Sequence, residues 1–294
     1  MNMNTDGGVP TSVYSHTADL TVLLPSLEAL VDEIVATGLS RDMLGRALDA
    51  GMMEVTSVLR AVPAAEGKLL ERGIGLVAGR NPDLVVLTQN LRLPVTKAAS
   101  ELVEMNDPSL YRSLSLDADS GGRKTYTPDL LILNRRTEVA HLVDVKRSLG
   151  SYELARIAEL KNRMLAAALV VPDLLYKEHR RLHAKEVRVV ILNAENQRAD
   201  IDGGVWPLSH LDHLLEVTGA GEAMAHLREL FQHRVEENWS AVLASRRQDA
   251  SAGNARKAPT LHCDGDHVCG TDTRSRSRLP VSIGFARAPR AAGP

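Results

Sequence analysis

Three ionisable side chains, Asp129, Asp144 and Lys146, stand in a stretch that otherwise reads as buried strand, TYTPDLLILNRRTEVAHLVDVKRS from Thr125 to Ser148. Its two apolar runs flank a polar turn. With Arg135-Arg136-Thr137-Glu138 as that turn, Asn134 pairs with Val139. Counting back along the antiparallel ladder then sets Asp129 directly opposite Asp144, with Cβ atoms about 5 Å apart. Side chains alternate along a strand, so Lys146 shares the face of Asp144. Two carboxylates at that spacing repel, and one holds its proton more tightly unless a cation lies between them. A lysine compensates in part. A divalent ion compensates further, and Mg²⁺ in particular takes one or two carboxylates together with waters and phosphate oxygens. Such an ion activates water and stabilises the charge of an in-line phosphodiester displacement. Lys146 would orient or deprotonate the water, or neutralise the phosphate. The bland reading of the same residues is a hairpin ending in a surface ion pair of little energetic weight.

The elements that must hold this trio follow from periodicity. Residues 1–20 are polar and aperiodic, a disordered lead-in. Leu27, Leu30, Val31 and Ile34 share a helical face that Gly38 is placed to end, and Ser40 can cap a second helix carrying Met43, Leu44, Ala47 and Leu48. A third helix runs from Met52 to Val62, and a fourth begins near Ala64. Leu84–Leu87 is a short strand candidate, Thr96–Glu104 a helix, and Leu110–Leu116 a strand before the DADSGG turn. After the quoted pair come a helix from Tyr152 to Leu169 and a strand from Glu186 to Asn193. Helices at Leu208–Val217 and Ala220–Leu243 follow. The expected fold is α/β: an antiparallel meander, a helical crossover to the last strand, and an N-terminal helical region. The expected boundaries are 21–62 for the helical region, 63–244 for the α/β domain and 245–294 for a disordered basic tail.

Composition narrows the class. The 294 residues are 44% hydrophobic and 24% charged, ordinary for a soluble protein, with a core built from Leu, Val, Ala and Ile because aromatics are 3%. No apolar run reaches membrane-spanning length, and the N-terminus lacks a signal-peptide pattern. The two cysteines, Cys263 and Cys269, give no disulfide framework, so a cytoplasmic protein is expected. The net charge of −2 divides unevenly: nine Arg and Lys against four Asp from Ser245 onward give +5, leaving −7 on the body. Any basic nucleic-acid surface on the body is therefore local.

Pro128-Asp129 followed by Asp144-Val145-Lys146 resembles the PD-(D/E)XK signature of restriction-endonuclease-like phosphodiesterases. In that superfamily the Pro-Asp opens the second core strand and the D/E-x-K closes the third. The resemblance covers residues 64–193. It implies that Asp129 and Asp144 bind Mg²⁺, or Mn²⁺ in its place, aided by the Val145 carbonyl, that Lys146 acts on the water, and that the substrate is DNA. A homodimer is compatible with it. It also implies a glutamate from the helix before the sheet: Glu71 in GKLLERG is the choice, with Glu101 and Glu104 as competitors. The alternative is a non-catalytic DNA-binding or regulatory protein that keeps this fold; an interaction protein without a nucleic-acid role is a third reading.

Arg147, Arg156, Lys161 and Arg163 are candidates for phosphate contacts beside the trio, and Tyr152 and Glu153 for its border. Ala36–Leu48 resembles a helix-turn-helix core that would put Arg41 and Arg46 near DNA, although two ordinary packed helices joined by Gly38 are the preferred explanation. In the tail, His262, Cys263, His267 and Cys269 are potential zinc ligands at a spacing that matches no common zinc module. Arg274, Arg276 and Arg278 could add salt-sensitive attraction to nucleic acid.

Overall fold

Asn134 fixes the strand pairing on which everything else depends. Its side-chain Oδ1 accepts from the N–H groups of Arg136 at 2.9 Å and Thr137 at 3.1 Å, and its carbonyl accepts from Glu138 N–H at 2.8 Å. This is an Asx turn, closed by Glu138 in the left-handed region at φ 58°. It joins strands β5 (Leu130–Asn134) and β6 (Val139–Lys146) with Asn134 opposite Val139 and Leu130 opposite Val143, the register expected from sequence.

The computed structural model describes residues 14–255 apart from 89–90, 112–113, 120–123, 180 and 196–197. In chain order the elements are β1 (His16–Thr17), α1 (Leu20–Gly38), α2 (Arg41–Ala50), α3 (Met52–Ala78), β2 (Leu84–Leu87), β3 (Leu93–Val95), α4 (Lys97–Met105), α5 (Pro108–Tyr111) and β4 (Lys124–Tyr126). After β5 and β6 come α6 (Leu154–Ala168), α7 (Val171–Glu178), β7 (Glu186–Asn193), β8 (Val205–Pro207), α8 (Leu211–Leu215), β9 (Val217–Thr218) and α9 (Ala220–Ala255).

The main sheet has five strands in the order β2-β5-β6-β7-β8. The β2–β5 and β5–β6 pairs are antiparallel; β6–β7 and β7–β8 are parallel. Parallel pairing needs a crossover, which α6 and α7 supply. Alternate residues of β5 enter two different cores. Leu130 and Ile132 pack with α1, α3, α8 and α9, while Leu131 and Leu133 pack with α4, α6 and α7. Both faces are thus covered by helices, which is why the strand reads LLILN with no polar alternation before its final residue. The protein is a mixed α/β fold, and no helix among the described residues is long and apolar enough to cross a membrane.

Several expectations are corrected. Of the strand expected at Leu110–Leu116, Leu110 and Tyr111 belong to the short helix α5 opened by Pro108 and 114–116 are not strand, and the first place in the meander belongs to Leu84–Leu87, which pairs with β5. The helices expected at Met52–Val62 and from Ala64 are the single α3, which carries Pro63 in its interior, so the boundary drawn at 62/63 falls inside a helix. Thr125 belongs to β4, which pairs with β3 in a separate two-stranded sheet. Leu208–Val217 divides into a 3₁₀ turn, α8 and the start of β9. Thr17, assigned to the lead-in, lies in β1 beside β9. α9 continues to Ala255, past the expected start of the tail, and Arg246 reaches back to the Gly45 carbonyl at 3.2 Å and to Asp49. The described residues through 249 form one compact unit; of 250–294 only the end of α9 is described. The tail's His262, Cys263, His267, Cys269, Arg274, Arg276 and Arg278 lie outside the described residues.

Candidate active site at the mouth of the β5–β6 pair

Asp129 stands one residue before β5, and the observed register continues to place it opposite Asp144. Its Oδ2 accepts from the Val145 N–H at 2.6 Å. That bond also orients the strand end. Val145 sends its amide toward Asp129, whereas the Lys146 carbonyl accepts from Ala194 N–H at 2.9 Å beyond β7. Main-chain groups of successive strand residues point to opposite edges, so the Val145 carbonyl faces the Asp129 side.

Asp144 is 5% exposed. Its Oδ2 accepts from the Tyr126 hydroxyl at 2.9 Å, while its buried Oδ1 has no hydrogen bond of good geometry and only the Lys146 ammonium against it as an ion pair. Without that ammonium the buried carboxylate oxygen would be left unpaired, which is costly. Burial, and next the charge of Asp144, raise the Asp129 carboxyl above its ordinary range, against the Val145 amide and Lys146, which pull it down. For Lys146 burial is the largest influence and lowers the ammonium, but Asp144 and Asp129 together outweigh it and the net shift is upward. Tyr126, pushed well above the ordinary tyrosine range by burial and then by Asp144, stays a donor.

Glu71, the glutamate expected to complete the set, lies on α3. Glu71 is half-buried there, and burial, then the charge of Asp129, push its carboxyl up to about 7; Asp144 adds to the shift, while Lys146 and Lys68 oppose it. α4, which carries the competitors, packs in the other core, with Ala99 and Val103 inward. Glu101 is exposed and paired with Lys97 at 3.3 Å, and Glu104 lines a separate cleft. Of the three candidates, Glu71 is the one on the helix that packs against the β5–β6 side of the first core.

Among the described residues no group of three or more His, Cys, Asp and Glu side chains is gathered as a ready ligand set. The donors present are two carboxylates and the Val145 carbonyl. Hard oxygen ligands few in number suit an ion that retains most of its waters, which is the habit of Mg²⁺.

Flanking groups divide. Arg147 lies 3.3 Å from Glu195 and 3.9 Å from Glu66, so it is engaged in an ion network and not left free for a ligand. Arg163 bonds Glu159 at 2.7 Å, Lys161 lies 3.4 Å from Asp200, and Arg156 is exposed. Tyr152 contributes to the electrostatics at Lys146, and its carbonyl accepts from Arg198 at 2.6 Å; Glu153 precedes α6 without a side-chain cap bond. In the helix-turn-helix-like segment, Ser40 does cap α2, at 3.4 Å from Met43 N–H. Arg41 is turned to Asn238 of α9 at 3.1 Å, and Arg46 to Asp42 at 3.3 Å.

Two features escaped the sequence. Tyr126 lay in the quoted stretch, but its role depends on β4 folding back over β6. Glu66 and Arg228 form a buried pair at 2.8 Å between α3 and α9, and Arg228 also donates to the Ala194 carbonyl at 2.9 Å. The available signal was a charge within each apolar helical run, AAEGKLL and AHLRELF.

The chain matches no family model, no curated protein and no solved structure at the level that would identify a relative.

Proposed function

We propose that this protein is a Mg²⁺-dependent nuclease with a restriction-endonuclease-like core of the PD-(D/E)XK type, hydrolysing DNA phosphodiesters. The observation that carries the reading is the mouth of the β5–β6 pair: Asp129 opposite Asp144, and Lys146 on the same face with its ammonium against the buried Oδ1 of Asp144. The strand order supports it, since an antiparallel meander followed by a parallel strand after a helical crossover is the layout that the superfamily resemblance implies.

Asp129, Asp144 and the Val145 carbonyl would hold the ion, with Mn²⁺ able to replace Mg²⁺. When bound, it supplies a Lewis acid for the scissile phosphate and charge neutralisation for the aspartates. Lys146, its side chain 24% exposed, can reach an oxygen of the phosphate or the attacking water and hold it by hydrogen bonding. Glu71, with a pKa near neutrality, can take a proton from water at physiological pH, the poise that suits a general base. DNA is the proposed partner, a homodimer is compatible with cutting both strands, and the proposed compartment is the cytoplasm.

The test is cleavage of supercoiled, linear and single-stranded DNA with Mg²⁺, Mn²⁺ or EDTA, using wild type beside Lys146→Ala and Asp144→Asn. Metal-dependent cutting that falls by about 10²-fold or more in both variants, each shown folded by circular dichroism, is the expected result. Tight DNA binding without cutting would instead favour a regulatory protein. Neither activity would leave only the fold.

A further inference from the structure

A second concavity opens beside the site. It has a volume of about 430 Å³ and lies between α4, β4 and α6, lined chiefly by Lys124, Asn162, Arg163, Ser100, Glu104 and Glu159. It adjoins the aspartates through β4: Lys124 and Thr125 line the cleft, and the next residue, Tyr126, donates to Asp144 Oδ2.

The lining constrains its occupant. Lys124 is exposed and lines the cleft, where its ammonium can meet an anion. Arg163 adds a second cation, held in place by Glu159 at 2.7 Å. Glu104 and Glu159 repel a simple anion, and Lys124 and Arg163 repel a simple cation. A ligand that satisfies both halves must carry an anionic group together with N–H or O–H donors. A nucleotide does so, with its phosphate for Lys124 and its base or sugar for Asn162 and the acids. The volume lies at the small end of the range for small-molecule clefts, which suits one nucleotide. The Watson–Crick edge of a base, the one that enters a cleft of this size, is available only when the base is unpaired.

We infer that this cleft takes the unpaired nucleotide adjoining the scissile phosphate, with Lys124 on its phosphate and Asn162 on its base or sugar. The inference rests on the nuclease reading of Asp129, Asp144 and Lys146, and it specifies the substrate as single-stranded DNA or DNA with an unpaired nucleotide beside the cut. Lys124 and Asn162 are substrate-binding residues on this assignment, and both are exposed, so their substitution leaves folding intact.

The experiment is fluorescence anisotropy with a labelled 12-nucleotide single strand and the matching duplex, in Ca²⁺ to suppress turnover, for wild type, Lys124→Glu and Asn162→Ala. Cleavage in Mg²⁺ is run in parallel. Wild type is expected to prefer the single strand. Lys124→Glu should weaken that binding about 10-fold and reduce the salt slope by about one. Asn162→Ala should weaken it roughly 5-fold with the salt slope unchanged. Single-strand binding that neither variant alters, with wild-type cleavage intact, overturns the cleft assignment and leaves the nuclease reading standing. Equal losses on duplex and single strand overturn the requirement for an unpaired nucleotide. Wild type that neither binds nor cuts any DNA removes the nuclease reading and this inference with it.

Discussion

The carboxylate of Asp129 is bonded at 2.6 Å to the amide of Val145, the residue that follows its cross-strand partner Asp144. The protein thus commits a backbone donor to holding one acid against another. Burial and Asp144 both disfavour the charge on Asp129. Asp129→Asn keeps an acceptor for the Val145 amide and removes the repulsion. The variant should be more stable than wild type by about 0.5–2 kcal/mol in EDTA while losing DNA cleavage. Urea unfolding at pH 7 measures the first and nicking of supercoiled plasmid the second. A destabilised variant would mean that the two acids are not in opposition.

Glu71 makes stability depend on pH in a defined direction. Its folded pKa of about 7 lies above the ordinary 4.5, so the folded state binds the proton more tightly than the unfolded chain. The contribution is fully present below pH 4.5 and is lost as pH rises through about 7. Glu71→Gln removes this dependence: the variant and wild type should match near pH 4, and the variant should be more stable at pH 8 by roughly 1–2 kcal/mol after allowance for screening of a half-exposed group. Unfolding curves in EDTA at the two pH values give the comparison. If Glu71 also helps hold Mg²⁺, saturating Mg²⁺ at pH 8 narrows the gap, because the ion then stabilises the chain that keeps this carboxylate more than the variant.

Tyr126→Phe separates positioning from packing. The hydroxyl is buried against a buried carboxylate, so its loss leaves Asp144 Oδ2 without a donor, at a cost of about 1.5–3 kcal/mol. The same substitution in an Asp144→Asn background should cost less, because a neutral amide tolerates the lost donor better. A double-mutant cycle in urea reads the coupling directly. Additive losses would show that Tyr126 serves only to fill its core.

How much of this was legible depended on whether a local rule or a tertiary contact decided the outcome. The β5–β6 register could be read because Asn134 specifies its own turn through short-range bonds, and one slip would have moved every side chain to the wrong face. β7 could be read from its length and its Val and Ile content. The first strand was misplaced because a four-residue run, LVVL, looks no more strand-like than SLSL near residue 115; the free edge of β5 made the choice. Pro63 suggested a break, yet α3 runs through it, with Val58, Ala61, Val62 and Ala65 packed on the core on both sides of the proline. The identity of the third acid was open for the same reason: Glu71, Glu101 and Glu104 all lie on amphipathic helices, and only packing decides which helix meets the aspartates.

The pair that ties α3 to the rest of the site is the last case. Glu66 is 7% exposed, and its Oε1 accepts from Arg228 Nε at 3.0 Å and from a terminal guanidinium nitrogen at 2.8 Å. Arg228 also bonds the Ala194 carbonyl just past β7, and Arg147, next to Lys146, lies 3.9 Å from the other oxygen of Glu66. Removing the arginine leaves a buried carboxylate with one distant cation. Removing the charge of the acid leaves a neutral amide that can still accept. Arg228→Ala should therefore cost about 3–5 kcal/mol and Glu66→Gln markedly less. Because Glu66 precedes Glu71 by little more than one helical turn, Arg228→Lys, which keeps the charge but not the forked geometry, should leave the protein folded while lowering kcat more than it raises KM. Urea unfolding of all three variants, with steady-state cleavage for Arg228→Lys, distinguishes this from simple stabilisation. A stability loss in Arg228→Lys with kcat unchanged would confine the pair to holding α3 and α9 together.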